Sequence, residues 1–216
     1  MKEIQLVKPK LDKNLSTEFD KEIINDTEVV IDNKIIENIS FNGINNQKVE
    51  FNGCILKNVD FGGGILLQTS FIDVVFEHCD LSNLDLSRST IYRTEFRSCK
   101  LMGVDLSNST LQNVLIDNCN CRYINLSSSK IKKLQIDNSD LSDGSIIESQ
   151  LSNITFNDIN FQNVELLSTP LKDIDFSKCN INGLRISGQE LQGAIVSRDQ
   201  AIILVSLLGL IINEEE

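Results

Sequence analysis

The sequence predicts an all-β rod in which the chain coils through four five-residue sides per turn. Every residue whose number ends in 1 or 6, from Ile36 to Val196, is Leu, Ile, Phe, Val or Cys, with the single exception of Asn46. We call these positions the comb. A period of five fits neither the 3.6 residues of a helical turn nor the two of a strand, so each block is one side of a turning chain.

A second set of positions shows how many sides close one turn. Two residues before each comb position, the chemistry repeats every twenty residues, as in the column Thr69, Ser89, Ser109, Ser129, Ser149, Thr169 and the column Cys79, Cys99, Cys119, Ser139. Four sides per turn stack such residues as ladders, with turns about 4.8 Å apart. About eight coils then form a rod roughly 40 Å long.

Several blocks share a small residue, Asp or Asn, Leu or Phe, and then Ser. They include Cys79-Asp-Leu-Ser-Asn83, Val104-Asp-Leu-Ser-Asn108 and Ser139-Asp-Leu-Ser-Asp143. These blocks resemble the pentapeptide-repeat family, and the tandem register covers about three quarters of the chain. The resemblance implies a right-handed quadrilateral β-helix, a handedness that the periodicity alone does not specify.

The register divides the chain into three parts. Residues 29–196 form the β-helix, and residues 197–216 are expected to add a helix and a strand for capping and dimerisation. Ser197 and Gln200 form a capping-box pattern, which predicts a helix over 198–208 that stops at Gly209, followed by a strand at 210–212. Residues 1–28 lack the register and are either a cap on the first coil or a flexible acidic arm.

The predicted C-terminal helix carries more apolar residues than a cap requires. Ala201, Leu204, Val205 and Leu208 are spaced to cover the final coil. The remaining apolar residues predict a two-fold homodimer, because self-association needs only one exposed patch. The expected interface residues are Ile202, Ile203, Leu207 and Ile211.

The sequence offers no site for catalysis, a metal or a cofactor. Five of the six cysteines lie two residues before a comb position, in what we call the inward set, and Cys121 lies on the comb itself. Packing therefore explains the cysteines better than redox or metal chemistry. The five are Cys54, Cys79, Cys99, Cys119 and Cys179. His78 falls at an exposed corner, and the run 62–64 of three glycines fits a turn better than a phosphate loop. Residues 1–10 resemble no export signal, so we expect a cytoplasmic protein. Because no active-site motif is visible, we expect that it is not an enzyme.

The formal net charge of −11 argues against direct nucleic-acid binding, which depends on clustered Lys and Arg. An acidic rod can instead engage a surface built to bind DNA. The pentapeptide-repeat resemblance, to Qnr- and MfpA-like members, implies mimicry of duplex DNA toward the type II topoisomerase gyrase, and hence quinolone resistance. We expect the acidic partner-binding surface to comprise Asp60, Asp80, Asp85 and Asp105.

Two observations keep a second function open. The Qnr-like members carry loops that project from the coil, whereas this register is unbroken from Ile36 to Val196, as in MfpA-like members. In addition, Ile147 and Leu167 share one outer column, with Leu67 further along it. The alternative is therefore a structural or protein-interaction module whose partner is unrelated to topoisomerases.

Overall fold

A computed structural model describes residues 4–26 and 28–209, and within them the chain forms a parallel β-solenoid. Each short strand is one side of a coil, and the four longest strands span two sides. In chain order the strands are β1 Val30–Asp32, β2 Ile35–Glu37, β3 Asn45–Gln47, β4 Glu50–Asn52, β5 Ile55–Lys57, β6 Ile65–Leu67, β7 Ser70–Ile72, β8 Val75–Glu77, β9 Thr90–Arg97, β10 Thr110–Asp117, β11 Lys130–Asp137 and β12 Gln150–Asn157.

Every strand pair is parallel and joins residues twenty apart, as the twenty-residue repeat predicts. One path runs β1-β4-β7-β9-β10-β11-β12, with Ile31 against Phe51 and Leu111 against Ile131. A second side pairs as β2-β5-β8-β9, and a third begins with β3-β6 and continues through isolated bridges. The fourth side pairs through isolated bridges alone. One such column has eight rungs among the described residues: Ser40, Asp60, Asp80, Lys100, Asn120, Asp140, Asn160 and Asn180.

The corners between sides lie two residues after each comb position. There the backbone turns through the left-handed region, as at Asn83 (φ 56°), Gly103 (φ 69°) and Asn113 (φ 56°). Gly, Asn and Asp reach this region at the lowest cost, which explains why they recur at these positions. Successive corners produce the four-sided coil.

The interior is filled by the comb and the inward set. Phe41 stacks on Phe61 and Phe51 on Phe71, each pair with ring centroids 5.2 Å apart. The buried hydroxyls of the small column link neighbouring coils, since the Ser89 N–H donates to Ser109 Oγ at 3.0 Å. Most small polar side chains are tolerated inside because they bond to backbone groups, although the hydroxyl of Thr69 has no hydrogen-bond partner among the described residues.

The N-terminal segment closes the first coil with residues 16–26. Ser16 bridges to Lys34, Phe19 meets Phe41 edge-on at 6.1 Å, and a 3₁₀ helix spans Lys21–Asn25. Ile24 is buried, and Asn46 donates to its carbonyl oxygen. The one polar comb residue thus holds the segment that covers the open end of the core.

Residues 4–15, which we call the arm, do not cover the first coil. They run lengthwise along one corner of the rod, with the Lys10 N–H donating to Asp73 Oδ1 at 2.8 Å. Further along the rod, the Val7 N–H donates to Asn113 Oδ1 at 3.2 Å. The sequence allows residues 1–28 to be either a cap or a flexible arm. In the structure, residues 16–26 form the cap and residues 4–15 lie along the rod as the arm.

The C-terminal end is closed by the helix α1, Arg198–Val205, followed by a 3₁₀ turn at Ser206–Leu208. Ser197 and Gln200 form the predicted capping box, and Gly209 ends the turn with φ 69°. Among the described residues, no helix has the length and apolarity needed to cross a membrane. The predicted strand at 210–212 lies outside the described residues.

One detail of the C-terminal cap differs from the sequence prediction. Ala201, expected against the final coil, is exposed, whereas Gln200 is buried. The Gln200 side-chain amide donates to the carbonyl oxygens of Phe176 at 2.7 Å and Cys179 at 2.8 Å. Carbonyl oxygens at the solenoid end have no further coil to bond to, so an amide that donates to them suits this position better than a methyl group.

Candidate functional surfaces

The four predicted acids lie on two adjoining sides of the rod. Asp60 and Asp80 are bridge partners in consecutive coils, as are Asp85 and Asp105. All four are half-buried, and each carboxylate accepts a bond from the backbone N–H two residues later, as Asp105 does from Ser107 at 2.8 Å. This Asx turn explains why the repeat favours Asp or Asn at that position.

The acids differ in how far their charge is compensated. Lys100 Nζ lies 3.0 Å from Asp80 Oδ2, whereas Asp60, Asp85 and Asp105 form no ion pair with a described residue. Burial raises the pKa of Asp80, but the hydrogen bonds from Ser82 and the ammonium of Lys100 outweigh it, so the net pKa is lowered. We call these four acids the acidic strip, and three of its carboxylates have no ion-pair partner among the described residues.

The expected dimer surface is exposed in this chain. Ile202, Ile203 and Leu207 are 50%, 44% and 38% exposed, and Ile195 on the last coil is 41% exposed. The fourth predicted residue, Ile211, lies outside the described residues. An apolar patch therefore stands at the C-terminal end of the rod, as self-association requires.

The outer apolar column is less exposed than the C-terminal patch. Leu167 is 39% exposed, but Ile147 and Leu67 are half-buried. The backbone N–H of Ile147 also donates to Ser127 Oγ at 3.2 Å. This column offers one exposed side chain rather than a continuous patch.

The cysteines and His78 lie where the sequence placed them. All six thiols are buried, and His78 is an exposed corner residue with φ 55°. The Cys99 N–H donates to Cys119 Sγ at 3.3 Å, so these thiols act as the serines do in the column on the opposite side of the coil. Burial raises the pKa of Cys179 to about 11, which disfavours a reactive thiolate.

The glycine run is explained by the coil. Gly63 occupies a corner with φ 65°. Gly64 occupies an inward position, where a Cβ would come within 2.6 Å of Ile44 Cγ2. In the part of the chain that the structure describes, no three His, Cys, Asp or Glu side chains converge as metal ligands.

Sequence reasoning missed the surface beneath the arm. Asp73 and Arg93 form an ion pair at the same corner of consecutive coils, and only 12% and 15% of their side chains is exposed. Val75 and Glu95 point outward from their strands yet are each 8% exposed. The bonds from Lys10 to Asp73 and from Val7 to Asn113 show that the arm covers this corner, and no periodicity in residues 1–28 could reveal it.

A second feature that the sequence reasoning missed is an aromatic corner. Tyr123 is 53% exposed in the left-handed region at φ 60°, while the other described residues in its corner column are Gly, Asn or Asp. The guanidinium of Arg122 lies 5.3 Å from its ring centroid. The coil itself does not require an aromatic side chain at this corner.

Comparisons with known proteins agree with this architecture. A family model described as the pentapeptide repeat region matches residues 69–146. No curated protein matches the chain. HetL, a pentapeptide repeat protein involved in heterocyst differentiation regulation in the cyanobacterium Nostoc, is 17% identical and superposes with a TM-score of 0.52 over 78% of this chain and 85% of its own.

Two further solved structures are more distant in shape. QnrB1, a plasmid-mediated fluoroquinolone resistance protein, is 17% identical over 85% of this chain and 100% of its own, with a TM-score of 0.39. Rfr23 from the cyanobacterium Cyanothece is 10% identical over 66% of this chain and 91% of its own, with a TM-score of 0.26. Because the matched repeat, the comb and the twenty-residue pairing all agree, the chain has the pentapeptide-repeat fold, and residues 69–146 carry the family's repeat.

Proposed function

We propose that the chain is a non-enzymatic binding protein that presents its acidic strip to a basic, DNA-binding surface, with DNA gyrase as the first candidate partner. The observation that supports this proposal is the pairing of Asp60 with Asp80 and of Asp85 with Asp105 in consecutive rungs. The protein shares its fold with QnrB1, a fluoroquinolone resistance protein. A rigid coil holds such charges in fixed positions, which favours recognition of a complementary surface.

The charge density of the strip can be compared with that of duplex DNA. Four acids spread over three rungs about 4.8 Å apart place one charge per roughly 3.6 Å of rod, against one per about 1.7 Å of duplex axis. The match covers only two rungs on each side, and Lys100 neutralises part of it. We therefore expect weak binding that depends strongly on salt.

The structure separates the charge of these acids from their role in the fold. Asn120 and Asn125 accept the same turn bonds, from Arg122 at 3.2 Å and Ser127 at 3.1 Å. An Asp-to-Asn change thus removes the charge and keeps the carbonyl oxygen that closes the turn. Such a variant tests the proposed surface without breaking the coil.

We predict that Asp80→Asn, Asp85→Asn and Asp105→Asn together weaken inhibition of gyrase supercoiling. Inhibition should fall severalfold at low salt and lose most of its salt dependence, because fewer charges are neutralised on binding. The melting temperature should stay within a few degrees of wild type, since the turn bonds remain. The measurement is a supercoiling titration at two ionic strengths, with and without a quinolone.

The matched control is Asp32→Asn, Asp117→Asn and Asp137→Asn, which makes the same change in net charge on the other two sides of the rod. If both triple variants lose activity equally, net charge rather than the strip is responsible. If wild-type protein neither inhibits gyrase nor binds it at low salt, the mimicry proposal fails. The exposed Leu167 then makes an interaction module with another partner the better hypothesis.

We also propose that the chain forms a homodimer through the apolar patch at its C-terminal end. Ile203→Glu with Leu207→Glu should halve the mass measured by light scattering while circular dichroism keeps its β signal, because two charges would face each partner surface. Gln189→Glu with Gln192→Glu, exposed on the last coil, adds the same charge and should leave the mass unchanged. A wild-type monomer at high protein concentration would contradict this proposal.

A further inference from the structure

The arm lies on a corner of the rod whose acceptors repeat at regular intervals. We call this corner the track and define it by Asp73, Arg93, Asn113 and the outward neighbours Val75 and Glu95. Asp73 and Asn113 accept the backbone N–H groups of Lys10 and Val7. The arm therefore donates hydrogen bonds to side chains at the corner and does not pair with a strand edge.

The spacing of these two bonds matches an extended peptide. Asp73 and Asn113 are two coils apart, about 9.6 Å along the rod, and three residues of extended chain also span about 10 Å. Consecutive N–H groups of a flat strand point to opposite edges, so a segment twisted toward the three-residue period of polyproline II is needed to bring every third N–H to an acceptor on alternate rungs. Asn153 occupies the same corner two coils further on, in a groove that Ile4 and Gln5 also line.

The arm shows which side chains the track accepts. Ile4, Leu6, Pro9 and Leu11 are half-buried, while the residues between them are exposed. The exposed positions include Lys8 and Lys10. The positive charge of Lys10 stabilises the nearby carboxylate of Asp73. The track therefore suits an extended segment with apolar residues on one edge and lysines on the other.

The arm is held less firmly than the chain that follows it. Among the described residues, backbone-to-backbone bonding to the coil begins at Ser16, which bonds with Asn33 at 3.0 Å and Ile35 at 2.8 Å. Residues 4–15 rely on two bonds to corner side chains and on half-buried apolar contacts. Because each hydrogen bond adds little net free energy in water, two such bonds leave the segment open to displacement.

We propose that the track is a peptide-binding surface, that the arm is its intramolecular ligand, and that an extended segment of a protein partner, apolar on one edge and lysine-bearing on the other, binds by displacing the arm. Tethering gives the arm an effective concentration in the millimolar range, so it excludes weak competitors. A partner segment must bind more tightly than the arm, or act where the arm is lifted. This surface lies apart from the acidic strip.

The test uses the full chain and a fluorescein-labelled synthetic peptide with the sequence of residues 1–15. Leu6→Glu in the full chain charges a half-buried arm position and should lift the arm without changing the track. We expect this variant to bind the peptide at least about tenfold more tightly than wild type in fluorescence anisotropy, because the competitor is gone. Lys8→Glu with Lys10→Glu in the peptide should weaken binding.

Asn113→Gly in the Leu6→Glu background removes one acceptor and keeps a residue suited to the left-handed corner. It should weaken peptide binding about fivefold, the equivalent of one hydrogen bond. Asn108→Gly makes the same change at a corner of another side and should have no effect. Failure of Leu6→Glu to bind, equal binding by wild type, or equal effects of the two glycine variants would each overturn the proposal.

Discussion

The coil and the arm show two ways of holding an extended chain on the same rod. In the coil, each side pairs with the sides above and below through backbone bonds, as Leu111 does between Ile91 and Ile131. In the arm, Val7 and Lys10 use only side-chain acceptors at corners. The coil repeats its sequence because every rung has the same environment, whereas the arm crosses rungs and meets a different residue at each.

The largest effect should come from breaking the coil at its centre. Leu106 is 3% exposed, so Leu106→Asp buries a carboxylate without a partner and should cost at least about 3 kcal/mol of unfolding free energy. Asn108→Asp, two residues later at an exposed corner, should change stability by less than about 0.5 kcal/mol. A thermal melt that showed equal effects would contradict the inward assignment of the comb.

This contrast marks what the sequence could predict. The comb, the small columns and the corners follow from one repeated environment. Phe51 and Cys99 are therefore buried, and His78 lies at a corner, as the five-residue register predicts. The capping box at Ser197 was also local enough to recognise. The acids at the strip obey the same rule, because Asp or Asn closes each turn, so their positions were predictable although a binding role is a separate question.

The aperiodic contacts could not be predicted in the same way. The match between Lys10 and Asp73 joins residues 63 apart and uses a backbone N–H, which any residue but proline supplies. Similarly, Gln200 replaces Ala201 against the final coil because the solenoid end leaves carbonyls to satisfy. Both contacts depend on where the coil ends and not on the repeat.

A medium effect should follow from loosening the N-terminal closure. Asn46 donates to the carbonyl oxygens of Ile24 and, at 2.8 Å, Asp26. Asn46→Ala should lower the unfolding free energy by about 1–2 kcal/mol, because both bonds are lost beside a buried core residue. Asn45→Ala, at the exposed neighbouring position, should change it by less than about 0.5 kcal/mol. Urea unfolding of the two variants measures the difference.

A loss near zero for Asn46→Ala would mean that residues 16–26 cover the core without being fixed to it. The comb would then tolerate a polar residue at this position simply because the coil is still open there. The expected loss instead assigns Asn46 to the closure. On that basis the single break in the comb marks the place where the repeat gives way to an end cap.

The smallest effect should be a local one, caused by acid at the arm. Burial raises the pKa of Asp73, but the bonds from Arg93 and the Lys10 N–H outweigh it and lower the net pKa below its usual 3.8. A lowered folded-state pKa stabilises the structure above the unfolded value and loses that contribution as the pH falls through the folded value. We therefore expect the arm to loosen as the pH falls below about 4.

Hydrogen exchange can separate this loosening from unfolding of the coil. The protection factor of the Lys10 amide should fall severalfold between pH 5 and pH 3, while that of the Ser16 amide, which bonds to the Asn33 carbonyl, should hold. Asp73→Asn should remove the difference between the two pH values. If Lys10 and Ser16 lose protection together, the arm belongs to the same cooperative unit as the coil. Its hydrogen bonds to side chains would then hold it as firmly as backbone pairing holds a strand.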